Sequence, residues 1–307
     1  MKKNIRNLPE SIKSRLRNKA KESNRLYSEV LQYYCIERFL YRLSCSKYAK
    51  MFILKGALMF IVWEIPERRT TLDIDFLADY DNRVTAIEEV IKKVCLTSVI
   101  PDGLVFDPET VKGQSIREEM EYKGVRIKFL GLLERSRIPM QIDVGFGDVV
   151  YPKPKVINYP VILDFPEPNL KGYPVESMVT EKFEAMVKLG LLNSRMKDFY
   201  DIWILIHQFD FNGRQLVEAL KKTFKCRNTA FPKTTPILAE EIYDEKSDRQ
   251  TLWKAFLSKN DITHAPEKLC NIALEIEKFF IKPLNAIDKK LIFNEIWKAL
   301  GPWKSKI

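Results

Sequence analysis

The chain has 307 residues, enough to bury a sizeable core and to form more than one lobe. Its composition, 46% hydrophobic and 30% charged, excludes a disordered chain, and 51 Lys and Arg against 41 Asp and Glu leave a net charge of +10. An excess of that size favours polyanionic partners such as nucleic acid, with a general solubility charge as the plain alternative. The five cysteines form no CxxC pair, which argues against a disulfide framework or a zinc site and fits a reducing cytoplasm. With only two histidines, His207 and His264, His-based nucleophilic catalysis has little material to work with. The start, Met1-Lys2-Lys3-Asn4, leads into charged sequence, so no signal peptide is expected. No run approaches the ~18 consecutive apolar residues of a membrane span, so no membrane partner is expected.

In chain order, residues 8–45 read as helix, with a start at Pro9-Glu10-Ser11-Ile12 and a stripe through Leu26, Val30, Tyr33 and Leu40. Met51 to Leu54 is a short apolar run ending at Lys55-Gly56, and Ala57 to Trp63 suits a helix leading away from it. Thr71-Leu72-Asp73-Ile74-Asp75-Phe76 alternates at period two and predicts a strand. Val84 to Val94 is an amphipathic helix, and residues 119–133 read as a hairpin turning near Tyr122-Lys123-Gly124. Met140-Gln141-Ile142-Asp143-Val144-Gly145 predicts another strand, and the Pro-rich stretch from Tyr151 to Pro166 predicts loop. Helices follow over roughly 174–190 and from Ser194 to about Gln208; residues 226–236 are irregular, and two or three more helices fill 237–307. The expected division is an N-terminal helical segment over 1–50, an α/β core over 51–165 and a C-terminal helical lobe over 166–307.

Alternation puts Leu72, Ile74 and Phe76 on one face of the first strand and sets Asp73 and Asp75 side by side on the other. Asp143 points away from Met140, Ile142 and Val144 in the same manner. If the two strands are neighbours, three carboxylates converge, and such a cluster repels itself unless a cation neutralises it. Hard oxygen ligands suit Mg²⁺ or Mn²⁺, which is the metal requirement of nucleotidyl transfer. The plain reading of the Asp73/Asp75 pair alone is a solvated strand face. Gly56 lies upstream, where a nucleotide's phosphates can approach the backbone, and Arg69 and Thr71 precede the acidic pair.

Lys182 falls on a stripe with Val175, Val179 and Met186. It is either a snorkelling stem or a cation aimed at a triphosphate, and a neutral isostere such as methionine is expected to fit the stripe at least as well. Asp198 begins the stripe of Ile202, Leu205 and Phe209, as a helix-dipole partner or a partner for Lys182, and Arg195 and Lys197 beside it offer phosphate-binding cations. Surplus cations for a polyanion are expected at Lys221, Lys222, Lys225 and Arg227 and along Lys298 to Lys306.

The chain resembles the AbiEii/AbiGii-type nucleotidyltransferase toxins of toxin–antitoxin systems. The likeness spans most of residues 10–260 and rests on motifs in order: Tyr33 to Leu43, Phe52 to Ala57, Arg69 to Phe76, Gln141 to Asp148, Glu181 to Ala185 and Asn193 to Asp201. It implies an α+β fold: a polymerase β-like minimal nucleotidyltransferase mixed sheet, with N-terminal helices and a C-terminal helical lobe. It maps metal-binding acids onto Asp73 and Asp75, the later Lys and Asp onto Lys182 and Asp198, and a phosphate motif onto Lys55-Gly56-Ala57. Ala57 departs from the Gly or Ser common there, so phosphate binding would use backbone N–H groups. The resemblance further implies transfer of a nucleotide from a nucleoside triphosphate to the tRNA 3′ end, or binding of GTP, with repression of growth, and an antitoxin partner with a winged-helix part (AbiEi-like).

The expectation is thus a cytoplasmic, Mg²⁺- or Mn²⁺-dependent nucleotidyltransferase toxin acting on RNA. Asp73 and Asp75 would hold the ions, with Asp143 as third ligand or general base. Lys182 and Arg195 would neutralise triphosphate charge, and Asp198 would position Lys182 or the base. The rivals are a small-molecule or protein nucleotidyltransferase, and a non-catalytic nucleotide- or RNA-binding module.

Overall fold

The computed structural model describes residues 7–66, 69–117, 123–232 and 236–305. Two compact units form: one takes in the chain as far as Gly147 together with Lys155–Gly172, the other Asp148–Pro154 together with the chain from Tyr173 onward.

The first unit opens with helices α1 (Leu8–Glu22) and α2 (Tyr27–Cys45). The sequence predicted one helical run here. It breaks because Asn24 takes a left-handed conformation, φ 51°, which ends α1 and redirects the chain. Asn7 caps α1 by accepting the Glu10 N–H. Helix α2 is buried nearly all round, including Glu37, Arg38 and Arg42. Arg42 reaches both carboxylate oxygens of buried Asp102, at 2.6 and 2.9 Å.

Against α2 lies a seven-stranded mixed sheet. Its strands are β1 (Phe52–Lys55), β2 (Asp73–Ala78), β3 (Leu104–Arg117), β4 (Lys123–Leu133), β5 (Ser136–Phe146), β6 (Lys155–Asn158) and β7 (Asn169–Gly172), in the order β3-β4-β5-β2-β1-β7-β6. Strand β2 runs antiparallel to β1 and parallel to β5. The short helix α3 (Met59–Val62) follows β1, and α4 (Val84–Cys95) joins β2 to β3 and packs on β3.

Of the hairpin expected over 119–133, Lys123 to Leu133 form strand β4, which pairs antiparallel with both β3 and β5. The hairpin's presumed turn at Tyr122 lies outside the described residues. The expected loop from Tyr151 to Pro166 contains β6 and leads to β7, because an edge pair tolerates the prolines around it. The alternation holds where it was strongest. Ile74, Phe76, Ile142 and Val144 are at most 1% exposed, while Leu72 stays outside the strand and exposed.

The second unit packs helices α5 (Val175–Leu189), α6 (Met196–Gln208), α7 (Gly213–Cys226), α8 (Asp248–Lys259) and α9 (Leu269–Asp288). Phe183 of α5 stacks on Phe280 of α9 at 3.9 Å. A small antiparallel sheet, unforeseen in the sequence, joins β8 (Phe211–Asn212), β9 (Glu295–Trp297) and β10 (Trp303–Ser305), and seats Trp297 and Trp303 on Phe279. Among the described residues no helix is long and apolar enough to cross a membrane.

Candidate functional site

In the first unit the strand register lines up one residue from each of four neighbouring strands. Lys55 of β1 pairs with Asp75 of β2, Asp75 with Asp143 of β5, and Asp143 with Arg126 of β4. Alternation explains the shared face: the flanking Leu54, Ile74, Ile142 and Ile127 are fully buried, so the row between them turns the other way. Asp73 lies two residues before Asp75, on the same face and opposite Gln141.

Gly56 follows Lys55 with φ +68°, and a Cβ there would stand 2.0 Å from Asp75 Oδ2. The Asp75 carboxylate therefore lies against a bare backbone that only glycine provides. Ala57 and Leu58 are buried in the turn that follows, so the departure at Ala57 presents no polar group to the site. Thr71 is fixed by its N–H, which donates to Tyr33 Oη at 3.3 Å, and both Arg69 and Thr71 are half-buried.

The third carboxylate has an unexpected partner. Arg126 Nε and Nη2 donate to Asp143 Oδ1 and Oδ2 at 2.8 and 2.6 Å. This bidentate bond, helped by the negative charges of Asp73 and Asp75, holds the guanidinium pKa above its ordinary value. Arg126 thus supplies part of the positive charge that three adjacent acids require. Among the described residues no group of three or more His, Cys, Asp or Glu side chains stands arranged for a metal ion. Asp73 and Asp75 nevertheless fit one by donor chemistry, as half-buried acids on a common strand face, with Asp143 adjoining but engaged by Arg126.

In the second unit Lys182 joins both acids of α6 that face it: its ammonium lies 2.7 Å from Asp198 Oδ1 and 2.8 Å from Asp201 Oδ2. Asp201 is completely buried and Asp198 nearly so. The pairing of Lys182 with Asp198 follows the sequence expectation; Asp201, at i+3 on the same helix, was missed although its spacing from Asp198 signalled it. The expected tolerance of methionine at Lys182 is corrected by this geometry, since removing the cation would strand two buried carboxylates. Arg195 precedes α6, exposed, with its N–H donating to buried Asn193 Oδ1 at 2.9 Å.

A second cluster went unrecognised. Arg227, just past α7, meets Asp148, Glu181 and Glu184, each at 3.0 Å. Burial opposes its charge, yet the three acids raise its pKa on balance. Tyr173 Oη donates to Glu181 at 2.7 Å, and Thr229 Oγ1 donates to Glu184. Glu181 and Glu184 are i, i+3 on α5, so they share a face from which Lys182 is rotated away. Arg227 is consequently an internal ion-pair partner rather than the polyanion-binding cation expected of it. Of its neighbours, Lys221 pairs with Glu218 at 3.4 Å, and Lys222 sits over the Tyr151 ring at 5.5 Å.

The chain matches the model of the nucleotidyl transferase AbiEii toxin family, type IV toxin–antitoxin system, over residues 38–275. Among solved structures it is similar to a Helicobacter pylori protein assigned as a nucleotidyltransferase, with 15% identity, 83% of this chain and 92% of that one covered, and a TM-score of 0.43. JHP933 from Helicobacter pylori is similar at 14% identity, covering 82% of this chain and 94% of that one, with a TM-score of 0.40. No curated protein matches the sequence.

Proposed function

Because the chain belongs to the AbiEii nucleotidyl transferase toxin family of type IV toxin–antitoxin systems, we propose that it transfers a nucleotide from a nucleoside triphosphate to RNA, at the tRNA 3′ acceptor end, and so blocks translation and growth. The observation that carries this reading is the register row of Asp75, Asp143 and Arg126 beside Asp73, with the Gly56 backbone against Asp75.

An acceptor hydroxyl attacks the α-phosphorus in line, its P–O bond forms as the bond to pyrophosphate breaks, and the hydroxyl proton leaves to a base or to water. Asp73 and Asp75 would hold a divalent ion, Mg²⁺ or Mn²⁺, with Asp143 as the adjoining acid. Bound there, the ion supplies charge neutralisation and a lowered hydroxyl pKa. Gly56 leaves room for phosphate oxygens near the backbone, with Lys55 and Ala57 on either side, and Arg69 and Thr71 flank the acidic strand. Asp143 serves as ligand or base according to whether Arg126 keeps its bidentate hold. In the second unit, Lys182, fixed by Asp198 and Asp201, and the exposed Arg195 are the cations proposed to bind phosphate. The net charge of +10 supports a polyanionic acceptor. A cytoplasmic setting and a winged-helix antitoxin partner complete the proposal.

The test is to incubate the protein and total cellular RNA with each labelled nucleoside triphosphate in Mg²⁺ or Mn²⁺. Label in the tRNA fraction is expected. Label confined to protein or to small molecules would move the acceptor assignment to those classes, and no label in any fraction would favour a binding module.

A further inference from the structure

The row of Asp75, Asp143 and Arg126 is one of two that cross the sheet side by side, and both continue beyond the acids onto β3. The first extends past Arg126 to Gln114. The second runs through Lys112, Lys128, Gln141 and Asp73. Residues directly opposite one another in neighbouring strands share a face, so both rows turn the same way. The other face is closed: Val125 and Ile127 are at most 1% exposed, and a Cβ on Gly113 would stand 2.5 Å from Val84 of α4. Helix α4 therefore covers the side away from Lys112 and Gln114, and Lys112, Gln114 and Lys128 are exposed.

Charge on the open face is divided between strands. Asp73, Asp75 and Asp143 lie on β2 and β5, and the cations Arg126, Lys128 and Lys112 lie on β4 and β3. Arg126 is engaged by Asp143. Lys112 and Lys128 have no ion-pair partner among the described residues. Asp107 of β3 lies beyond the bulge, opposite Leu130, and its carboxylate accepts the Glu109 N–H at 3.0 Å. Two lysines directly opposite each other repel, where an acid in either place would attract. A like-charge pair left unrelieved on an open face, one strand from the acid-bearing β5, is completed by an anion from outside.

We propose that Lys112 and Lys128 seat the acceptor RNA, holding backbone phosphates of the strand whose end reaches the acids; this rests on the RNA reading given above. Strand spacing sets Lys128 and Lys112 two and three strands from Asp73, about 10 and 14 Å along the sheet. A triphosphate on an ion at Asp73 and Asp75 keeps its phosphorus atoms near that ion, each joined to the next through one oxygen. An RNA strand sets a whole nucleotide between phosphates and crosses the distance. Lysine suits the task, as a point charge on a flexible stem that meets a phosphate without reading sequence. Gln114 and Gln141 add neutral donors for phosphate or sugar oxygens. An acidic protein would use the charge alone, whereas the rows lead from the lysines to the acids where the transfer reaction is assigned.

The test follows a labelled short single-stranded RNA by fluorescence anisotropy, in EDTA, over a salt series. Lys112→Gln/Lys128→Gln is expected to weaken binding tenfold or more at low salt. It should also flatten the slope of log affinity against log salt by about 1.4, the share of two single-strand phosphate contacts. Its thermal midpoint is expected to hold or rise, because a repulsive pair is gone. Lys92→Gln/Lys93→Gln, the same loss of charge on α4, is expected to leave affinity and slope nearly unchanged. Affinity for a non-hydrolysable nucleoside triphosphate in Mn²⁺ is expected to be the same in Lys112→Gln/Lys128→Gln as in the wild type. The anisotropy reads no transfer, so a protein that binds RNA through these lysines yet labels none keeps the proposal and loses the transfer reading. No RNA binding by the wild type, wild-type affinity and slope in Lys112→Gln/Lys128→Gln, an equal loss in Lys92→Gln/Lys93→Gln, or an equal loss of triphosphate affinity would overturn the proposal. Tighter binding of polyglutamate than of RNA of matched charge would overturn it in favour of an acidic protein.

Discussion

Arg126 grips both oxygens of Asp143, at 2.8 and 2.6 Å, from the strand next to it, and so places a fixed cation beside the acidic pair Asp73 and Asp75. Removing that cation should make the acidic cluster a stronger metal site. With a change of about 1 kcal/mol for a partly screened charge at this range, Arg126→Met is expected to tighten Mn²⁺ binding roughly fivefold. Electron paramagnetic resonance titration of free Mn²⁺ measures it, and an unchanged affinity would show that the guanidinium charge is not felt at the ion.

Asp73→Asn and Asp75→Asn keep the shape of each side chain and remove its charge. Both are expected to abolish nucleotide transfer and any growth arrest, with solubility and thermal midpoint near those of the wild type. Gly56→Ala is expected to behave differently. Its Cβ would collide with Asp75 Oδ2, and its φ of +68° favours glycine, so activity and about 1 kcal/mol or more of stability should be lost together. Full transfer activity in either asparagine variant would remove that residue from the site.

Lys182 sits between two acids that are 7% and 0% exposed. Lys182→Met should therefore cost about 3–5 kcal/mol, the penalty for breaking a buried ion pair by removing one partner. Adding Asp201→Asn should restore part of the loss, because one stranded charge is then neutral. Urea denaturation of the single and double variants measures both. A Lys182→Met protein as stable as the wild type would mean that water reaches the acids readily.

Glu37 gives a pH signature with a definite sign. Burial, opposed by Arg38 and the Ile162 N–H, pushes its folded pKa up to about 8 from the 4.5 of an ordinary glutamate, with Asp102 adding a small upward push. Between those values the folded state holds a proton that the unfolded state has released, so stability falls as pH rises through the window. Glu37→Gln cannot ionise. Its thermal midpoint relative to the wild type is expected to climb from pH 5 to pH 8 and then level off. A difference that stays constant over this range would show that Glu37 titrates normally.

A polyanionic acceptor releases counterions on binding, whereas a nucleotide held by a few groups responds less. Raising salt from 50 to 200 mM is expected to raise the apparent KM for RNA about tenfold or more and to move that for the nucleoside triphosphate far less. Charge reversal at Lys221 and Lys222 should weaken RNA use alone. Arg227 is unsuited to that test, since its substitution would break the pairs with Asp148, Glu181 and Glu184. A flat salt response of the acceptor would exclude RNA.

Elements whose signal is local can be read from the order of the amino acids alone. Period-two alternation placed Asp73, Asp75 and Asp143 on the unburied faces of two strands, because a half-buried strand can hide only every second side chain. Helical spacing marked Lys182 and Asp198 as charges on apolar stripes, and the ordered motifs named the family. What those residues touch depends on how the folded chain brings its elements together. Arg126 alternates with Val125, Ile127 and Phe129 like any exposed strand residue, and nothing local says that β4 pairs with β5 in the register that brings it to Asp143. Arg227 reads in sequence as one more cation beside Lys221, Lys222 and Lys225. Folding buries it against three acids, two of them from a helix some forty residues earlier. Strands β6 and β7 and the three-stranded sheet of the second unit are too short to carry a period of their own, and form because partners elsewhere in the chain complete their hydrogen bonds. Alternation and helical spacing are written into neighbouring residues, whereas pairing, register and charge neutralisation depend on residues brought together from distant parts of the chain.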